Sequence, residues 1–237
     1  MHYNQTHLSA IIPVYNEVDT IEEIVRRLEA VTIVRQIVVV DDFSQDGTRE
    51  IVTRLARDGR VDAFFHDRNR GKGAALRSGL KLVREEYLVI QDADLEYDPQ
   101  DFYAMIEVVH TARAQVVYGS RFMSKPCTGM LWSHWLGNRM LTSLFNLLYR
   151  QRLTDLETCY KLFNTELLCR LGIDNDRFDV DPELTAKVVR SGLRIYEVPV
   201  CYTGRPYLAG KKIRARDALS AIKTMWRYRN WRLGVVG

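Results

Sequence analysis

Apolar and polar positions follow two rhythms along the first 120 residues. Continuous apolar runs at Leu8–Val14, Gln36–Asp42, Val61–His66, Tyr87–Gln91 and Gln115–Tyr118 predict buried strands. Segments of helical spacing lie between them. Ile21, Ile24, Val25 and Leu28 share one face of Glu17–Ala30, and Ala74, Ala75, Leu76, Leu80 and Val83 share one face of Gly71–Arg84. Helices are also expected from a Thr48 cap to Arg57 and over Pro99–Ala112. Strands alternating with helices predict an α/β fold, with a parallel sheet covered by helices on both faces.

The second half is less regular. It reads as an amphipathic helix over Leu136–Tyr149, a strand over Cys159–Phe163 and a helix over Pro182–Ser191. Arg194–Tyr202 reads as a strand near a sheet edge, because Pro199 cannot donate to a ladder. A loop over Thr203–Lys212 and a helix over Ala215–Arg229 complete the chain. No repeat or low-complexity linker interrupts it. One domain is therefore expected over 1–203, followed by a basic loop and interfacial helix over 204–237.

Composition changes this picture in one respect. Residues 201–237 hold nine Lys or Arg against one acid, Asp217, or +8 of a total of +4, which leaves −4 for the first 200. A basic end on an acidic body favours an anionic surface or ligand there. The four cysteines have no zinc spacing, and the polar N-terminus has no apolar core of a signal peptide, so a cytoplasmic protein with reduced thiols is expected. No apolar run reaches 18 residues, and no module that reads nucleic acid accompanies the basic tail.

The chemistry gathers where apolar runs end. Tyr87–Gln91 stops abruptly at Asp92, Asp94 and Glu96. On an extended backbone, acids at i, i+2 and i+4 point the same way, and a hard cation such as Mg²⁺ or Mn²⁺ would relieve their repulsion. The plainer alternative is capping of the next helix, which Asp98–Pro99 also suits. Asp41 and Asp42 close the second strand, and the glycines of Arg70–Gly73 open a helix whose N-terminus favours an anion.

Ile12–Glu17 (IPVYNE), Val40–Asp42 with Asp46–Thr48, Asn69–Gly73 (NRGKG), Asp92–Asp94 (DAD), Gly119–Arg121 (GSR), Asp155–Lys161 and the tail from Arg205 to Lys212 occur in this order. Together they make the chain resemble the family 2 glycosyltransferases of GT-A, Rossmann-like fold, especially the dolichyl- and polyprenyl-phosphate mannose or glucose synthases. The resemblance covers nearly the whole chain. It implies an inverting, metal-dependent hexosyltransferase that uses a GDP- or UDP-hexose. Pro13, Tyr15, Glu17, Asp42, Lys72, Asp92, Ala93, Asp94, Arg121 and Asp181 would then line the nucleotide-sugar site, and Asp92, Asp94 and Glu96 would hold Mg²⁺ or Mn²⁺. Asp94, Arg121, Lys161, Arg205 and Lys212 would carry catalysis.

The acceptor sets the subclass. A sugar hydroxyl needs a base, and Asp179 or Asp181 is the candidate; a lipid phosphate is already anionic and needs cations instead. Arg121, Arg139, Arg205, Lys211 and Lys212 would hold the phosphate. Asp155–Lys161 departs from the commoner D-x-x-S-G-F-R form, which leaves the sugar open. Trp226, Tyr228 and Trp231 among C-terminal cations suit a membrane surface, so peripheral attachment at the cytoplasmic face, or a membrane-anchoring partner, is expected. A transferase to a glycan or glycolipid hydroxyl and a nucleotide-sugar-binding scaffold are the alternatives.

Overall fold

A computed structural model of the chain describes residues 6–123, 129–204 and 215–233. Seven strands, β1 (Leu8–Val14), β2 (Val34–Asp41), β3 (Asp62–Phe65), β4 (Tyr87–Ile90), β5 (Val116–Ser120), β6 (Lys161–Asn164) and β7 (Tyr196–Pro199), form one sheet in the order β3-β2-β1-β4-β6-β5-β7. β1 runs parallel to both β2 and β4, with Ile11 opposite Val38 and Ile90. β6 is antiparallel to β4 and β5, so the sheet is mostly rather than wholly parallel. β7 pairs with β5 at the edge, as Pro199 requires.

Alternate side chains of each inner strand enter opposite cores. Ala10, Ile12, Val39, Val89 and Val117 join the cluster under α1 (Ile21–Glu29), α2 (Thr48–Arg57) and α4 (Phe102–Ala112). Ile11, Val38, Val40, Leu88, Ile90 and Val116 face the other cluster. That cluster is covered by α3 (Lys72–Leu80), α5 (Trp132–Tyr149), α6 (Thr165–Leu171), α7 (Val180–Arg190) and α8 (Ala215–Arg227). Burial on both faces is why the strands read as unbroken apolar runs. α8 belongs to this body: Ala221, Met225 and the following Tyr228 enter the core, and Tyr149 donates to the Met225 carbonyl at 2.6 Å.

Local starts differ from expectation at α2 and before α4. Gly47, with φ at +102°, precedes α2, while the Thr48 hydroxyl donates to Asp46 and accepts from Glu17 N–H. Asn16 does not cap α1. It adopts φ +55°, accepts from Gln45 N–H and accepts nothing from the helix, which begins after Thr20. A 3-10 turn over Pro99–Asp101, capped by Asp98, precedes α4. The short helix α6 had no counterpart in the sequence reading.

Candidate functional site

β2 and β4 flank β1 on opposite sides, so their carboxyl ends form the kind of sheet edge where open α/β sheets take ligands. One side of this edge is two stitched loops. Asn16 N–H donates to Ser44, Glu17 N–H to Thr48 and Val18 N–H to Asp46, all within 3.1 Å. This holds Pro13 partly covered at the strand end, with Tyr15 exposed and Glu17 beside Thr20.

Asp41 and Asp42 do separate work. Asp41 is fully buried and accepts from Arg49 Nε at 2.7 Å. Asp42 accepts the Arg70 and Gly71 N–H groups at 2.8 and 2.7 Å and meets His66 Nδ1 at 2.7 Å. Its carboxylate thus fastens the NRGKG loop to β2. The glycines of that loop serve close packing: a Cβ on Gly73 would lie 2.0 Å from the Asn175 carbonyl oxygen, and Ala74 N–H donates to Asp176 O. Protein carbonyls meet the start of α3 at this point, where an anion had been expected.

The three acids after β4 are not arrayed on one strand. β4 ends at Ile90, and Leu95 turns through φ +60°, so the period of two is lost before Glu96. Asp92 pairs with Lys72 Nζ at 2.9 Å. Asp94 is buried and accepts Glu96 N–H at 3.2 Å, with Ala93 buried beside it. Glu96 is buried and accepts the Tyr202 hydroxyl at 2.9 Å. The expected three-carboxylate centre is therefore not assembled. Among the described residues no group of three His, Cys, Asp or Glu is placed to hold a metal. Asp92 and Asp94 alone still fit a hard ion, since Mg²⁺ is commonly held by one or two carboxylates plus substrate phosphates.

Lys72 links this acid loop to the second half. It lies 3.3 Å from Cys159 Sγ as well as against Asp92. Burial opposes its charge, yet the Asp92, Cys159 and Asp181 charges raise its pKa well above the ordinary lysine value.

Beyond β5, expected ligand-binding cations are engaged internally. Arg121 makes a two-pronged pair with buried Asp155, at 2.7 and 2.8 Å, and its backbone N–H donates to the same carboxylate. Asn138 of α5 donates to Asp155 at 3.1 Å. Against burial, Asp155 raises Arg121 and Arg121 lowers Asp155. Lys161 is fully buried; its Nζ meets Asp181 at 2.6 Å and the Leu156 and Thr158 carbonyls. Lys161, expected among the residues that carry catalysis, stands as a buried post under Asp181. Asp179 accepts from Ser220 at 2.8 Å. Arg139 is exposed on α5, its guanidinium 5.7 Å from the Phe122 ring centre. Arg205, Lys211 and Lys212 lie outside the described residues.

Glu157 escaped the sequence reading. Its Oε1 is closed from solvent and meets no hydrogen-bond partner among the described residues. Burial, with Asp181 adding, pushes its pKa up to about 7, against the pull of Lys161 and Arg121. No periodicity in Asp155–Lys161 marks it; only the charge pairs gathered around it in space do.

The sequence profile of Glycosyl transferase family 2 matches residues 9–172. The undecaprenyl-phosphate mannosyltransferase of Micrococcus luteus is 30% identical over 207 residues, 82% of this chain and 83% of that protein. The glycosyltransferase AglD of Haloferax volcanii is 29% identical over 81% of this chain, which spans 32% of AglD's length. Among solved structures, glucosyl-3-phosphoglycerate synthase of Mycobacterium tuberculosis, in complex with Mn²⁺, UDP and glucosyl-3-phosphoglycerate, superposes with a TM-score of 0.73. It is 19% identical and covers 98% of this chain and 81% of its own.

Proposed function

The chain belongs to glycosyl transferase family 2, and on that premise we propose that it moves a hexose from a GDP- or UDP-sugar to a polyprenyl phosphate. One observation carries the choice of acceptor: both expected bases are engaged, Asp181 by Lys161 and Asp179 by Ser220. An acceptor phosphate is ionised before it arrives and needs no proton removed. The likeness to an undecaprenyl-phosphate mannosyltransferase over most of both chains supports the same reading.

The donor would lie across these strand ends, its base and ribose along Pro13, Tyr15 and Glu17. Asp42 serves it by holding the Arg70–Gly71 backbone in place. Asp92 and Asp94 would hold Mg²⁺ or Mn²⁺, which when bound supplies positive charge to the departing diphosphate. Lys72, already against Asp92, adds a fixed cation beside that charge. Arg121, fixed by Asp155, shapes the opposite wall. Exposed Arg139, with Arg205, Lys211 and Lys212, would gather the acceptor phosphate.

Attachment would be peripheral, at the cytoplasmic face, where anionic lipids attract a basic segment. Among the described residues no helix is long and apolar enough to cross a membrane. Exposed Trp226, Lys223, Arg227 and Arg229 of the C-terminal region support a surface contact. A separate anchoring partner is compatible with it.

Glu157 favours one second reading, transfer to a sugar hydroxyl, because a carboxyl titrating near 7 with an unpartnered oxygen is suited to general-base work. One assay separates the two. The protein is incubated with labelled GDP- and UDP-hexoses, polyprenyl phosphate and an oligosaccharide acceptor in detergent, then extracted into organic solvent. Acid-labile label in the organic phase supports the proposal; label confined to water-soluble glycan overturns it in favour of the second reading.

A further inference from the structure

We propose that His66 is a positioning residue for the nucleotide-sugar donor, an inference that rests on the donor reading above. Its imidazole aims the Asp42 carboxylate at the Arg70–Gly71 backbone and, through it, sets the start of α3. His66 directly follows β3 and is 2% exposed. Its N–H donates to the Asp41 carbonyl at 2.9 Å, and its own carbonyl accepts from Arg49 Nη2 at 2.6 Å. The Phe64 ring meets the imidazole edge-on, with 5.7 Å between ring centres. Backbone and ring are both held.

The two ring nitrogens are used in a determined order. Nδ1 lies 2.7 Å from Asp42 Oδ1, and Nε2 lies 2.9 Å from Ser78 Oγ. A carboxylate only accepts, so Nδ1 carries the hydrogen; in the neutral ring Nε2 is left to accept from the Ser78 hydroxyl. The hydrogen bonds then run from Ser78 through His66 to Asp42. Asp42 in turn accepts Arg70 N–H on the same Oδ1 and Gly71 N–H on Oδ2. Ser78 stands about two turns beyond Gly71, so His66 grips the body of α3 while Asp42 grips its start. The helix sits tightly on the sheet here: a Cβ on Gly79 would lie 2.8 Å from Ile11 Cγ2.

Two features separate His66 from a histidine that only fills the core. Its Nδ1 bond goes to the one carboxylate that also fastens the NRGKG loop. The next residue of that loop, Lys72, reaches Asp92 at 2.9 Å. A change in the direction of Asp42 is therefore carried to the acid loop, where the donor diphosphate would lie. A buried ion pair adds little stability over apolar packing, so its use here is better explained by the geometry it fixes.

The test measures the affinity of the full chain for GDP and for UDP, each with Mn²⁺, by calorimetry, beside the melting temperature. Two amides divide the work of the imidazole. An Asn side chain places its N–H₂ near Nδ1, and a Gln side chain places its own near Nε2. His66→Asn should keep nucleotide affinity within about threefold of wild type, whereas His66→Gln should weaken it about tenfold, the scale of one hydrogen bond to a charged group. Both should melt below wild type, since each loses one of the two bonds. Equal losses of affinity in the two variants overturn the proposal and leave the donor reading standing. So does unchanged affinity in His66→Gln, or a loss of about tenfold in His66→Asn. A wild type that binds neither nucleotide overturns both readings.

Discussion

Lys72 Nζ lies 2.9 Å from Asp92 Oδ1, so a cation from the start of α3 occupies one of the carboxylates best suited to a metal. The pair is largely screened from water, with side chains 8% and 15% exposed, so each charge depends on the other. An ion approaching Asp92 without nucleotide must compete with Lys72. Lys72→Met is expected to strengthen Mn²⁺ binding to the nucleotide-free protein by roughly tenfold, equivalent to ~1.4 kcal/mol of competition removed. Turnover should fall at the same time, because a cation beside the diphosphate is lost. Calorimetric titration with Mn²⁺ alone checks the first effect; unchanged affinity would mean that the ion does not use Asp92.

Asp94 gives the sharper test of metal use. It is buried and accepts Glu96 N–H, and the melting temperature of Asp94→Ala is measured beside its activity so that a folding loss is separated from a catalytic one. Transfer should fall roughly a hundredfold or more, since a Lewis-acid contribution is worth several kcal/mol. EDTA should silence the wild-type protein, and Mg²⁺ or Mn²⁺ should restore it. Full activity in EDTA would remove the ion from the reaction.

The ends of β1, β2 and β4 were legible because apolar runs there stop at polar residues, and strand ends are where this class of sheet binds. What followed each end was not. Asp92, Asp94 and Glu96 would converge only on extended backbone, but the strand stops at Ile90 and Leu95 is left-handed. β6 is four residues long, too short for its apolar pattern to disclose an antiparallel direction. Nothing in the sequence marks Lys161 as an internal cation, because its partner, Asp181, is twenty residues away. Glu157 is defined only by neighbours brought together by folding.

Lys161 and Asp181 can be separated from the reaction by their effect on folding. Both are buried, and removing one partner leaves an uncompensated charge. Lys161→Met is expected to cost about 3–5 kcal/mol, or a fall in melting temperature of roughly 6–20 °C. Adding Asp181→Leu should return much of that loss, as apolar replacement of a whole buried pair is often neutral. Thermal denaturation of the single and double variants measures both. A Lys161→Met protein with wild-type melting and lost transfer would restore this lysine to the reaction.

Glu157 should make stability depend on pH in a defined direction. Its carboxyl is lifted from 4.5 to about 7 in the folded state, so the folded protein holds a proton there that the unfolded chain has released. Stability from this group is therefore lost as pH rises from about 4.5, and the loss levels off above about 7. Glu157→Gln keeps the shape without the ionisation. It should raise the melting temperature relative to wild type at pH 8, with the difference closing towards pH 5. The same variant discriminates the acceptor. If the acceptor is a phosphate, transfer by Glu157→Gln at pH 7 should stay within a few-fold of wild type. Loss of about a hundredfold or more, the scale of general-base catalysis, would assign Glu157 the proton of a sugar hydroxyl.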